Sequence, residues 1–323
     1  MKKIAVVLFY LLASFSLLPS AKAAFYAVKT ALTNPTTAAQ NSVLITIDDS
    51  ALPLTVSTAT RITLSGSGAT VFLDGLALTT AGQLFGFVNA SLVLENPPAT
   101  ATSQLVRIDP VTAIATPIGS PIAAASINGA AFDRSGRLYA INVVDQNLME
   151  LDPATGAVLS SLPLPASLTP TDMRDSDLAF DLNNNAYIAE RSVGIYPLDV
   201  ATGTLGAVVP GLIDAYNGLA FLNGNVGVYL EETAADEIGV FCGINDPILL
   251  GPKLNLSAPP VSTLVGNAGP MDLAGMPTSV FGLCSPPRIA NVPSSNMATL
   301  LMLFLSSALV GLFVLTIRRR QLI

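Results

Sequence analysis

Five places in this sequence set an oxygen-bearing side chain just ahead of a recurring alanine. Asp74, Asn128 and Asn217 stand three residues before Ala77, Ala131 and Ala220, while Asp177 and Asp272 stand two before Ala179 and Ala274. Carboxylate and amide oxygens are ligands for hard cations, and calcium takes about six to eight of them. Brought together, these five side chains would make a calcium site. The same residue types also cap the start of a strand by accepting its first amides, and that plainer role is the one expected of them.

Other chemistry is sparse. The chain has no histidine, which removes serine-histidine and cysteine-histidine catalysis and every imidazole metal site. No glycine-rich phosphate loop or dinucleotide fingerprint stands between a strand and a helix, so no organic cofactor is implied. Asp181-x-Asn183-x-Asn185 begins like a calcium loop, but Ala186 holds the place of the required glycine and Ser192 that of the closing glutamate. Glu231-Glu232 and Asp236-Glu237 supply paired carboxylates, the minimum for glycoside hydrolysis, yet nothing sets them across a cleft, and they read as a solvated acidic insertion.

The recurring alanines belong to longer repeats. Asn128-Gly129-Ala130-Ala131-Phe132, the turn Asp133-Arg134-Ser135-Gly136, Leu138-Tyr139-Ala140-Ile141, Leu148-Met149-Glu150-Leu151 and the turn Asp152-Pro153-Ala154-Thr155-Gly156 form one unit. Asp177-Leu178-Ala179-Phe180, Asp181 to Asn185, Ala186-Tyr187-Ile188, Ile195 to Leu198 and Asp199-Val200-Ala201-Thr202-Gly203 form the next. The alanines are 54, 48, 41 and 54 residues apart. Such periods, with several short strands in each, predict an all-β propeller with few helices. Small residues suit the innermost strands, aromatic and β-branched residues the second, and Asp, Asn and Gly the turns. Leu162-Pro163-Leu164-Pro165 reads as a loop between blades. The last partial copy, Met271 to Leu283, lacks later strands, whereas Phe25 to Val28 and Val43 to Asp48 lack a first one, so the two ends are expected to share a blade. That makes five blades, or six if the 54-residue spacings hide a further hairpin. A β-sandwich or β-helix is the competing architecture.

On the Leu-Tyr-Ala-x strand and the Asp-Pro-x-Thr-Gly turn, the repeats resemble open-ended propeller families of the lactonase-like and NHL-like kinds. The resemblance implies a metal held at one end of a central channel by residue types like those of Asp74, Asn128, Asp177, Asn217 and Asp272, and hence a calcium-dependent hydrolase as an alternative function.

Both ends of the chain carry addresses. Lys2-Lys3, an apolar run from Ile4 to Leu18 and Ala21-Lys22-Ala23 form a signal peptide expected to be cut between Ala23 and Ala24. At the other end, Met297 to Ile317 is an uncharged run of 21 residues, about 31 Å as a helix, followed by Arg318-Arg319-Arg320. The arginines hold the tail in the cytoplasm and place everything upstream outside. With Val292-Pro293 ahead of it, this tail resembles the PEP-CTERM and IPTL-CTERM sorting tails of Gram-negative surface proteins. That resemblance implies an exosortase-like processing enzyme as a partner, beside the export machinery, signal peptidase and the membrane. No Pro-Glu-Pro is present, and Ser294-Ser295-Asn296 continues the motif differently.

The expected layout is a signal peptide at 1–23, an ectodomain at 24–284, a linker with sorting motif at 285–296, a membrane helix at 297–317 and a basic tail at 318–323. In an oxidising compartment the only two cysteines, Cys242 and Cys284, are expected to form one disulfide, adding about 3–4 kcal/mol if unstrained. The segment from Ala24 to Asn291 carries all 22 acidic residues against nine basic ones, which argues against nucleic acid as a partner. The sequence thus predicts an exported, membrane-tethered or sorted envelope protein with a non-catalytic binding or structural propeller.

Overall fold

A computed structural model describes the chain between Ala24 and Ala274, apart from residues 32–40, 51, 91–96, 169–172, 174–175, 191–193, 210–215, 224–225, 232–235, 245–246, 262–263 and 265–270. The chain divides into two units, Met1–Cys284 and Ser285–Ile323, and every described residue lies in the first. Ala23, Cys284, Val292-Pro293, the apolar run and Arg318 to Arg320 lie outside the described residues.

Every named element is a strand. The first blade begins with β1 (Ala24–Ala31), β2 (Asn41–Asp48) and β3 (Thr55–Arg61), paired antiparallel in that order. The second contains β4 (Thr63–Leu64), β5 (Leu73–Leu78), β6 (Leu84–Asn89), β7 (Thr102–Ile108), β8 (Ile114–Pro117) and β9 (Ile122–Ala123). Here β5 to β8 make the meander, β4 adds parallel to its outer edge, and β9 pairs with β7. The third blade is β10 (Ile127–Phe132), β11 (Leu138–Asn142), β12 (Asn147–Leu151) and β13 (Val158–Pro163). The fourth is β14 (Asp177–Phe180), β15 (Ala186–Glu190), β16 (Gly194–Asp199) and β17 (Thr204–Leu205). The fifth is β18 (Tyr216–Asn223), β19 (Val226–Glu231), β20 (Glu237–Cys242) and β21 (Ile248–Asn255).

The chain then returns as β22 (Met271–Ala274) and supplies the missing innermost strand of the first blade. Tyr26 faces Ala274 and Lys29 faces Met271 in that pairing, so the two ends of the domain share one sheet, as the incomplete end repeats predict. The innermost strands touch in a closed cycle, β5 to β10, β14, β18, β22 and back to β5. This makes a five-bladed β-propeller and excludes a sandwich or a β-helix.

The 54-residue spacings hide no sixth blade. In the second blade the extra length goes into residues 90–101 and the short β9; in the fifth it goes into eight-residue β18 and β21 and the return from Leu256 to β22.

Neighbouring blades pack against one another, so second strands near the axis are buried on both faces instead of alternating, whereas strands farther out, such as β7, alternate. Leu138 to Asn142 and Ala186 to Glu190 are buried at every position. The core accordingly divides into five apolar clusters, one between each pair of neighbouring blades. Aromatic residues repeat across three of these junctions. Phe85 packs on Phe132, Tyr139 on Phe180 and Tyr187 on Phe221, each a second-strand ring against an inner-strand ring of the next blade.

The turns form as their residues dictate. Asp152 and Asp199 accept the amides of Ala154 and Ala201 at 2.9 Å, and Gly156 and Gly203 close each turn with positive φ. Asp109 repeats the device with Val111 at 2.8 Å, Ala113 taking the left-handed position. The predicted interblade loop starts later than its sequence suggests, because Leu162-Pro163 belongs to β13. Pro163 is tolerated on this edge strand because its neighbour Leu164 makes the inward bond, to the Gln146 carbonyl at 2.9 Å.

Candidate functional site at the channel mouth

The innermost strands set the recurring residues around the propeller axis. Two places before each alanine stand Gly75, Gly129, Asp177, Gly218 and Asp272 in ring order. These positions point at the next blade. A side chain on Gly129 would lie 2.7 Å from the Cα of Asp177 and 2.9 Å from the Leu178 nitrogen, so only glycine fits there.

The two aspartates use the same position to grip instead of to yield. Asp177 accepts the amide of Leu178 on Oδ1 and that of Leu219, in the fifth blade, on Oδ2, both at 2.6 Å. Asp272 accepts the amide of Leu273 at 2.8 Å on Oδ1 and that of Leu76, in the second blade, on Oδ2. Each carboxyl therefore ties its own inner strand to the following one, and in each case a glycine precedes the amide received. The two carboxyls also hydrogen-bond to each other.

Both are fully buried. Burial pushes Asp177 up to about 7, against the lowering effect of its bonds to Asp272, Leu219 and Leu178, and the nearby Asp74 charge adds to the rise. Burial also holds Asp272 well above the usual carboxylate range, reinforced by the charge of Asp177. The pair thus retains a proton at pH values where exposed aspartates have lost theirs.

The other predicted residues cap and tie. Asp74 is buried and accepts the amide of Gly75 at 3.2 Å. Asn128 donates its side-chain amide to the Met173 carbonyl at 3.2 Å, and Ser176 donates its hydroxyl to the same carbonyl at 2.8 Å. Asn217 is in β18, but its side chain lies outside the described residues.

This donor set does not fit calcium. A calcium site needs ionised carboxylates with oxygens turned to a common centre. Here all four oxygens of Asp177 and Asp272 receive backbone amides, and burial raises both carboxyls above the usual range, which disfavours their ionised forms. Among the described residues, no three acidic or cysteine side chains are placed to hold a metal ion. The channel below offers a volume of about 50 Å³, lined by Leu76, Ala130, Leu178, Leu219 and Leu273 among others, which is room for a few waters.

The remaining acidic candidates resolve differently. Asp181 Oδ1 accepts the amides of Asn183 and Asn185 at 2.8 Å, and Oδ2 accepts the Asn185 side-chain amide at 2.9 Å, so the apparent calcium loop is a closed turn. Asp133 makes the equivalent turn one blade earlier, with Ser135 and Arg137. The acidic insertion is not simply solvated, which corrects the sequence reading. Asp236 is buried, with Oδ2 2.8 Å from Nζ of the fully buried Lys29, and this pair joins the fifth blade to the first. Glu237 lies 3.7 Å from Lys253 on the partly exposed side of the same sheet. A lone lysine in the apolar frame of β1 was the only sequence signal for this pair.

No protein-family model matches the chain, and no curated protein matches it. Similar solved structures include virginiamycin B lyase from Staphylococcus aureus, at 13% identity over 70% of this chain and 74% of that one, with a TM-score of 0.40. A protein of unknown function from Bacteroides caccae gives 11% identity over 78% and 98%, with a TM-score of 0.42. A putative 6-phosphogluconolactonase from Bacteroides uniformis gives 12% over 74% and 84%, with a TM-score of 0.38. At these values the likenesses carry no function to the chain, and its five-bladed ring rests on its own strand pairing.

Proposed function

We propose that this chain is an exported envelope protein whose propeller is a non-catalytic binding and structural module, tethered or sorted through its C-terminal tail. The observation that carries the non-catalytic part is the channel mouth. Asp177 and Asp272 hold neighbouring blades and each other, so neither of these two carboxyls is free to act as a base or to hold a cation there. Export is supported by the basic and apolar start of the chain and by the small-x-small site Ala21-Lys22-Ala23. The arginines behind the 21-residue apolar run support the tether, and Val292-Pro293 the sorting. A Cys242–Cys284 disulfide belongs to the same reading, since export brings the chain to an oxidising compartment.

The alternative is a calcium-dependent propeller hydrolase. Two measurements separate the readings. Intact mass of the protein from the surface, medium and membranes of its native cells is expected to show a start at Ala24 and either an end before Met297 or an intact Ile323 in membranes only. A retained Met1 overturns cleavage at Ala23, and protein recovered only from the cytoplasm overturns export. Calcium titration with a chelator control is expected to leave melting unchanged; a calcium-dependent rise in stability, lost in Asp177→Asn, would establish the metal site.

A further inference from the structure

The second blade carries two adjoining troughs of about 560 and 510 Å³, a size suited to small ligands. One runs between this blade and the Pro153-Ala154 turn of the third; the other runs beside the Asp109-Pro110 turn. They share three residues, Gln83, Arg107 and Thr116. Arg107 and Thr116 are cross-strand partners on β7 and β8, and Gln83 precedes β6, whose Phe85 faces Arg107.

These three residues are exposed hydrogen-bond donors, and none has a side-chain partner among the described residues. The contrast with the other described cations is informative. Lys29, Arg137 and Lys253 are ion-paired, and Arg61 and Arg134 bond to the carbonyls of Leu264 and Leu182. Arg107 alone among them is left over, in a chain with an acidic excess. A guanidinium flanked by an amide and a hydroxyl matches a carboxylate, which can accept two parallel bonds from Arg and a third from its neighbours. The acidic surface disfavours a densely charged polymer. Ile118, Pro117 and Pro153 add apolar walls, suited to the C–H faces of a sugar ring.

We infer that these troughs bind a uronate-bearing glycan, with Arg107 receiving the carboxylate and Gln83 and Thr116 completing its hydrogen bonds. The inference rests on the non-catalytic binding reading above. The test is calorimetric titration of the full chain with trigalacturonate, with neutral trigalactose and inorganic phosphate as controls, followed by product analysis. Saturable binding of the uronate alone is expected. Arg107→Gln should weaken it at least tenfold with melting unchanged, since the guanidinium supports no fold contact. No binding, equal binding by Arg107→Gln, or phosphate binding as strong as the uronate overturns the site. Uronate that binds through Arg107 but is cleaved keeps the site and overturns the non-catalytic reading.

Discussion

Replacing Asp177 by asparagine tests the shared proton at the channel mouth. A folded-state pKa raised to about 7, against about 3.9 in the unfolded chain, means that the native protein holds a proton the unfolded chain releases. The associated stability is complete below about pH 4 and is lost as pH rises towards 7. One proton corresponds to at most about 1.4 kcal/mol per pH unit, or a fall of about 3–5 °C per unit for a domain of this size. The turn aspartates Asp109, Asp152 and Asp199, held below the usual range chiefly by hydrogen bonds in their turns, act with the opposite sign. Their support is lost only as pH falls below about 4, so between pH 5 and 7 they do not oppose the pair. The substituted carboxamide can donate to an ionised Asp272 and needs no shared proton. Its single oxygen, however, replaces two that accept Leu178 and Leu219, leaving one buried amide unpaired at about 1–3 kcal/mol. Asp177→Asn should therefore melt below the wild type at pH 5 and lose the downward slope towards pH 7, the two curves converging. Thermal melting by circular dichroism at half-unit intervals reads both terms. Parallel slopes, or a wild type that gains stability from pH 5 to 7, would refute the shared proton.

Three further perturbations address the frame. Gly129→Ala places a methyl against the backbone of β14 and should cost about 1–3 kcal/mol, exceeding the roughly 0.4–1 kcal/mol gained from a stiffer unfolded chain; a higher melting temperature would contradict the close approach. Asp236→Asn removes the carboxylate that pairs with the buried Lys29 and should cost about 3–5 kcal/mol, whereas Lys29→Met with Asp236→Leu should recover most of it by denaturant titration. Thiol labelling of the unfolded, unreduced protein from native cells should find neither cysteine, and labelling of either one would remove the disulfide from the proposed function.

Much of this propeller is written locally. The turn after the third strand of the second, third and fourth blades forms because an aspartate accepts the amide two residues on, and a residue able to take positive φ closes the turn, so Asp152-Pro153-Ala154-Thr155-Gly156 announces itself. The incomplete repeats at the two ends likewise announce a shared blade, since an unpaired β1 requires a partner and only β22 lacks one. Proline at position 163 misled because its meaning depends on which side of the strand is already occupied.

The site was legible in its residue types but not in its contacts. Asp74, Asn128, Asp177 and Asp272 were all recognisable as oxygen donors at strand starts, and capping is what they do. Which of them meet is decided by the ring. The amide that Asp177 receives from the next blade is 42 residues away, and the one that Asp272 receives is 196 away. Such bonds follow from the order in which blades close around the axis, not from spacing along the chain. The glycines at 75 and 218 that let those amides approach, the Lys29–Asp236 pair and the convergence of Gln83, Arg107 and Thr116 have the same origin. Periodicity fixes what each strand can offer, and only closure of the ring brings the offers of different blades within hydrogen-bonding distance.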